Sequence, residues 1–373
     1  MELRGFDVNL YETALRKSGG ALGLVCNLTP YTQHLKWDIF AQGWFGTATI
    51  ALTAPGDVLQ WLYDVALEYH VEIADAELIT RYEGFVSRLT LTLGGVRKSK
   101  TLEDMWNEVR VAYGDHQVAV ARSTTSKTQW GERRSVQSVA RNSRSAAQSF
   151  ADLFLSEHKD PHGDINSELT GDIDEGGTRL EITCQGYWNT LAWTNTKSRK
   201  RRLDTGKQIR RILQGFEAGA VANHGFLSTD YSLIPTTGLS RAHEAKDIPT
   251  AQARILRIMR QGDASGVKLM GGVGRERTFF LFSRPTSLDY FYDPYETEYR
   301  DIGGAVIPKW QVEPGRFVYL QSPYPAQQPT DDPMNNPNYC QFINRVEYDP
   351  LNNSIVLENL DGVSILQTLG KIH

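Results

Sequence analysis

Thr178-Arg-Leu-Glu-Ile-Thr-Cys-Gln-Gly-Tyr-Trp-Asn-Thr-Leu191 is the stretch that decides the fold. Leu180, Ile182 and Cys184 alternate with Glu181, Thr183 and Gln185, the two-residue period of a strand with one face turned inward. Gly186-Tyr187-Trp188 then makes an aromatic corner, and no residue of the stretch is a catalytic group.

Strands of similar character recur in both directions. Upstream lie Leu24 to Leu28, Thr47 to Thr53, Val71 to Ile73 and Val109 to Tyr113. Tyr82 to Leu93 is the longest, with Tyr82, Gly84, Val86, Arg88, Thr90 and Thr92 on one face and a bulge predicted toward its end. Downstream, Phe279-Phe-Leu-Phe reads as a buried strand and Arg316 to Leu320 as another. Cys340 to Tyr348 and Ser354 to Asn359 are expected to pair as a hairpin across Asp349-Pro-Leu-Asn-Asn353. Tyr290-Phe-Tyr-Asp-Pro-Tyr295 is too aromatic for a plain loop and suits a contact surface.

Helices are fewer. Asp57 is placed to cap one that carries Leu59, Leu62, Tyr63, Ala66 and Tyr69 at helical spacing. Ser135 to His158 is the strongest helical pattern, with Val136, Val139, Ala140, Ala147, Phe150, Leu153 and Phe154 on one stripe. Thr205 to Phe216 groups Ile209, Ile212, Leu213 and Phe216, and Thr250 to Gln261 groups Ala251, Ile255, Ile258 and Met259. Many short strands with few helices predict an α+β, β-dominated chain, and 373 residues suffice for more than one domain.

Bulk composition narrows the function. A net charge of −4 argues against nucleic acid as the main partner, because neutralising phosphates needs a basic surface. Gly (32), Tyr (16) and Trp (8) suit β-rich domains with tight turns and broad contacts. Cys26, Cys184 and Cys340 are odd in number and far apart, which implies buried thiols rather than a disulfide framework or a metal cluster. Met1-Glu-Leu-Arg-Gly5 has no apolar run behind it, so no signal peptide is expected, and no stretch reaches the length of a membrane helix.

Candidate chemistry is sparse. Gly271-Gly-Val-Gly274 lacks the Gly-Lys-Ser/Thr of a phosphate loop and reads as a surface turn. His158 and His162 stand four apart, but Pro161 breaks the helix that would align them. Asp331-Asp332 with Asn335 and Asn336 lacks the ligand pattern of a calcium loop. Glu83, Glu108 and Glu181 show no spacing that pairs them as glycosidase carboxylates. No catalytic residue, metal or cofactor is expected. The basic run Lys197, Arg199, Lys200, Arg201 and Arg202 has no interleaved aromatics and reads as a charged loop.

Several blocks, in order, resemble tail proteins of phages and prophages in the baseplate-hub and minor-tail-protein group. They are Trp61 to Asp75 with Tyr82-Glu-Gly-Phe-Val86; Thr101 to Tyr113; Leu180 to Trp188; Asp263-Ala-Ser-Gly266 with Arg277; Val312-Glu-Pro-Gly-Arg-Phe-Val318; and Phe342 to Leu369. The resemblance implies β-barrel or β-sandwich modules with inserted helices. It divides the chain into an N-terminal β-rich hub-like domain (1–125), a helix-and-strand segment completing the first barrel (126–200), an α+β middle domain (201–305) and C-terminal strands packing back on the barrels (306–373). It also implies a non-catalytic homotrimeric ring in the virion, made in the host cytoplasm, joining tail tube to tip, spike or fibre proteins around the passing DNA. Folding and contact candidates are then Trp61, Trp106, Tyr187, Trp188, Trp193, Tyr290, Tyr292, Pro314 and Gly315, with Trp188 assigned to the core and the run 197–202 to the channel. Two alternatives stand beside it. A host-receptor or carbohydrate-binding protein would place Trp44, Trp130 or Trp310 on a groove, and a tail-associated lytic enzyme would need a cleft with two acidic residues or a metal triad in contact.

Overall fold

The computed structural model describes residues 5–15, 21–93, 96–114, 117–138, 143–167, 178–194, 196, 202–215, 226–242, 250–320 and 340–359. The opening stretch forms the strand Arg179–Gln185 at the centre of a thirteen-stranded sheet. It runs antiparallel between Gln42–Leu52 and Thr80–Leu93. Leu180 pairs with Leu52 and Leu91, Ile182 with Ile50 and Leu89, and Cys184 with Ala48 and Val86. All nine side chains are fully buried, so the period-two pattern is repeated in register across three strands and builds one inner face.

From there the path runs outward on both sides. One side continues through Thr80–Leu93 to Tyr69–Asp75, Phe6–Thr13 and Leu24–Asn27, and the other through Gln42–Leu52 to Thr32–Phe40, Arg345–Asp349 and Ser354–Glu358. Thr80–Leu93 is long enough to serve two partners on one edge. Tyr69–Asp75 takes its first half and Val96–Thr101 its second, with His162–Ser167 beyond. A bulge falls where Thr183 and Cys184 meet this strand.

Leu269–Val273 joins in parallel to the start of Gln42–Leu52 and pairs antiparallel with Phe279–Ser283. Gly271 to Gly274 is therefore not a surface turn: all four residues are buried, and the first three lie in a strand. A Cβ on Gly272 would stand 2.3 Å from the Gly43 carbonyl carbon, so two backbones touch where glycine faces glycine.

Three smaller sheets complete the β-dominated α+β architecture among the described residues. Tyr290–Asp293 lies in a five-stranded sheet with Phe317–Leu320 and Cys340–Phe342, and Arg202–Asp204 pairs with Ser240–Ala242. Arg134–Ser138, Glu108–Tyr113 and Gln117–Arg122 form the third, covered by the helix Arg144–His158 around Val109, Val111, Ala147 and Ala151.

Three expectations are corrected. The helix predicted from Ser135 begins only at Arg144, because Arg134–Ser138 adds in parallel to Glu108–Tyr113 and leaves Val136 44% exposed. The span Cys340–Tyr348 is two strands. Cys340–Phe342 joins the five-stranded sheet, and Arg345–Asp349 makes the hairpin with Ser354–Glu358 inside the large one. The first helix, Gly56–Val65, starts behind Pro55, so Asp57 sits in its first turn facing the positive helix end rather than at the cap, and Tyr69 already belongs to a strand.

Two further helices close the core. Thr205–Leu213 is capped by Asp204, which accepts from the Lys207 amide at 3.1 Å, and Ala251–Met259 by Thr250, which accepts from the Ala253 amide at 3.1 Å. Ile209, Ile212, Ile255 and Ile258 are fully buried on their facing sides. Among the described residues no helix is long and apolar enough to cross a membrane, and there is no disulfide; Cys184 and Cys340 are buried and Cys26 half-buried.

Candidate functional site

The aromatic corner is built on a close approach. Gly186 donates its amide to the Gly46 carbonyl at 2.7 Å, and a Cβ there would lie 1.9 Å from the Phe45 carbonyl oxygen. The chain turns over Phe45 into one 3-10 segment, Tyr187–Trp193, which buries Tyr187, Trp188, Thr190 and Leu191. Tyr187 stacks near Phe85 and His70, and its hydroxyl meets His70 Nδ1 at 2.9 Å. Burial, with the Arg277 charge adding to it, holds His70 down to about 3, so this imidazole is neutral.

Trp193 carries the Arg133 guanidinium on its ring at 3.6 Å. Arg133 also donates to the Leu102 carbonyl at 3.2 Å and faces Glu68 at 3.6 Å. Burial pushes Glu68 up to about 7 against the pull of that guanidinium. These contacts bind the small three-stranded module to the large sheet.

Beside the corner opens a cleft of about 500 Å³. Tyr11, His70, Glu72, Thr80, Glu83 and Arg277 are among the residues that line it. Glu72 and Glu83 are direct partners across the pair Tyr69–Asp75 and Thr80–Leu93. Glu83 is 5% exposed, and burial pushes it up to about 8 although Arg277 stands 4.0 Å away. The amides of Glu276 and Arg277 both donate to Glu83. Those two residues have φ of 54° and 57°, the left-handed backbone that aims successive amides at one anion. Arg277 in turn donates to the carbonyls of Ala14 and Phe226, each at 3.2 Å. Glu72 accepts from the hydroxyls of Thr80 and Tyr11.

The fold thus pairs Glu83 with Glu72, a pairing that sequence spacing does not reveal. Glu108 instead sits among Arg110, Arg122 and Arg134 at 2.7, 2.9 and 2.6 Å, on the small module. Chemically, a buried carboxyl held near neutrality beside a second carboxylate is an acid–base arrangement. Its oxygens, however, are engaged in tying the Glu276–Arg277 turn to the sheet, and the Glu72 carboxylate in bonding Thr80 and Tyr11.

The contact candidates fall in different places. Trp188 is 8% exposed and packs over Gly43, where an added Cβ would meet its ring at 2.8 Å. Trp61 stands 45% exposed on the outer side of its helix. Trp106 is half-buried against the small module. Tyr290 and Tyr292 are half-buried in their strand; the Tyr290 hydroxyl accepts from the Glu313 amide at 3.3 Å, and Tyr292 packs on Tyr299. Pro314 is buried, and Gly315, at φ +82°, donates its amide to the Ile343 carbonyl at 2.8 Å. Arg202 is exposed at the start of a short strand, whereas Lys197, Arg199, Lys200 and Arg201 lie outside the described residues, as do Asp331, Asp332, Asn335 and Asn336.

Of the tryptophans named for a sugar groove, Trp44 packs edge-on against Phe280 and Trp310 against Phe6, both half-buried on the core. Trp130 lines a groove. His158 and His162 do come together, rings 5.4 Å apart and nearly perpendicular, with His158 Nδ1 bonded to the Phe154 carbonyl. Among the described residues no group of three or more potential metal ligands assembles.

No protein-family model matches the chain, and no curated protein does. Solved structures similar to it in outline include two tail proteins. A tail protein from Neisseria meningitidis MC58 aligns over 96% of this chain and 94% of its own, with 7% identity and a TM-score of 0.38. The 43 kDa tail protein of prophage MuSo2 from Shewanella oneidensis aligns over 92% of both chains, with 7% identity and a TM-score of 0.39. At such scores the likeness carries no argument about what this chain does.

Proposed function

We propose that the chain is a non-catalytic structural subunit of the distal end of a bacteriophage tail, a baseplate hub. In this reading three copies close a ring between the tail tube and the tip, spike or fibre proteins, around the channel through which DNA passes. The basic run at 197–202 lines that channel, and exposed aromatics such as Trp61 meet neighbouring subunits. The four-part division of the chain at 125, 200 and 305 belongs to the same proposal.

One observation carries it. Residues in the blocks that resemble tail proteins serve as joints between distant segments. Glu83 of the Tyr-Glu-Gly-Phe block holds the turn of Arg277, from another block. Gly84 leaves room for the Gln185 carbonyl of the aromatic-corner block, which an added Cβ would approach to 2.6 Å. Gly315 of the Glu-Pro-Gly block bonds Ile343 of the last one. Motif residues used for framework fit a protein whose work is geometric.

The test is the mass and symmetry of the purified full chain, by light scattering and then negative-stain class averages. A three-fold ring of three 42.0 kDa copies with a central hole, alone or on addition of purified tail tube, is the expected result. A chain that remains monomeric with the tube protein present, or a closed assembly of another symmetry, overturns the proposal.

A further inference from the structure

A second concavity, of about 560 Å³, lies between the end of the helix Gly56–Val65, the strand Val96–Thr101 and the end of the short helix Thr124–Trp130. Its volume falls within the roughly 300–1,000 Å³ of small-molecule sites. Tyr63, Asp64, Lys98, Lys100, Gln129 and Trp130 supply the side chains that matter.

The cations are held in place before any ligand arrives. Lys98 and Lys100 are two apart on one strand, so both project from the same face. Both ammonium groups sit over the Tyr63 ring, at 5.0 and 4.7 Å from its centre. Lys98 Nζ donates to Gln60 Oε1 at 2.5 Å, and Lys100 Nζ donates to the Tyr63 carbonyl at 3.4 Å and pairs with Asp64 at 3.8 Å. Gln60 also donates to the Asp64 carboxylate at 2.9 Å. Trp130, half-buried on the main core, forms another wall.

We propose that this groove binds a saccharide bearing an anionic group. The paired ammonium groups recognise the anion. The Trp130 indole offers an apolar wall to a sugar's C–H face, and Asp64 and Gln129 offer partners for hydroxyls. Nucleic acid fits less well: two lysines do not make a backbone track, and the chain is net acidic at −4. Trp130 on a groove is what the carbohydrate-binding alternative expects, and the proposal does not rest on the ring.

Calorimetric titration of the full chain tests it, using four probes: a glucuronate-containing disaccharide, glucose 6-phosphate, the matching neutral disaccharide, and a short thymidine oligonucleotide. Saturable one-site binding of the uronate, the phosphate sugar or both is expected, with the neutral sugar about tenfold weaker or more. The two acidic probes tell a carboxylate ligand from a phosphate one. Lys98→Gln with Lys100→Gln should reduce acidic binding to the neutral level, and Trp130→Ala should weaken every sugar. Circular dichroism confirms that each variant is folded. If the double variant is not, Lys100→Gln alone serves, since that side chain is already 34% exposed, and a loss of severalfold is expected. The proposal is overturned if neither acidic sugar saturates, if neutral and acidic sugars bind alike, if the lysine variants leave acidic binding unchanged, or if the oligonucleotide displaces the sugar.

Discussion

Replacing Gly186 by alanine isolates close approach from backbone conformation. Gly186 has φ −67° and ψ 153°, an extended geometry open to any residue, so an alanine there carries no conformational penalty. Space is the whole problem. The new Cβ would lie 1.9 Å from the Phe45 carbonyl oxygen and 2.6 Å from its carbon, both backbone atoms of a central strand. Carbon and oxygen normally approach no closer than about 3.3 Å, so the corner and the strand must separate by more than an ångström.

That separation lengthens the 2.7 Å bond from Gly186 to Gly46 and lifts Tyr187 and Trp188 from their places. Overpacking costs about 1–3 kcal/mol where side chains can yield; with backbone on one side and a hydrogen bond lost at about 1 kcal/mol, about 3–4 kcal/mol is expected. With a urea m-value of about 3 kcal/mol/M, the midpoint falls by about 1 M. Gly56→Ala is the control. Gly56 is the first residue of its helix; its Cβ would rest 3.6 Å from Leu93 at ordinary contact distance, and alanine should stabilise by about 0.4–1 kcal/mol. Paired urea unfolding curves decide it. A Gly186→Ala midpoint within experimental scatter of the parent would refute the close-approach account.

Burial of Glu83 makes stability pH-dependent. Its folded pKa of about 8 lies above the ordinary 4.5, so its contribution is fully present below pH 4.5 and lost as the pH rises through 8. Glu68, at about 7, acts in the same sense, and His70, held at about 3, in the opposite one: its contribution is present above pH 6.5 and lost as the pH falls through 3. Glu83→Gln should therefore gain on the parent between pH 5 and 9, on the order of 3 kcal/mol; a difference that does not change with pH in urea titrations contradicts this. Trp188→Ala should cost about 3–5 kcal/mol through the cavity it leaves, whereas Trp61→Ala should stay within about 0.5 kcal/mol, and equal melting shifts would contradict the core and surface assignments. Arg133→Met strands Glu68 in the interior and should cost about 3 kcal/mol, with Glu68→Gln restoring part of the loss in a double-mutant cycle; strict additivity would show the two are not coupled.

Local pattern was a good guide wherever burial is one-sided. Leu180, Ile182 and Cys184 announce their strand because only one face of it meets the core, and the Ile209/Ile212/Leu213 and Ile255/Ile258/Met259 groups announce their helices for the same reason. The aromatic corner, with Trp188 inside, follows from the same alternation. Where burial is two-sided or a partner is distant, the local pattern misleads. Gly271-Gly-Val-Gly274 resembles a turn because glycine is frequent in turns; it is a strand because Gly43, more than two hundred positions earlier, presses its backbone against Gly272. Arg134–Ser138 resembles the first turns of a helix until Glu108–Tyr113 offers it a parallel edge.

The polar sites depend still more on distance. Glu72 and Glu83 face each other only because a turn sets the register of two strands. Arg277 reaches them from nearly two hundred residues away, and Lys98, Lys100 and Trp130 share a groove only after a helix and a strand have been packed together. The sequence by itself determined the β-dominated class, the main helices and the central inner face, since periodic burial is written locally in side-chain order. Only the tertiary structure decided which carboxyls are buried together, which glycines are needed for space and which aromatics are left at the surface, because those depend on contacts whose partners are set by strand register and packing, not by neighbours in the chain.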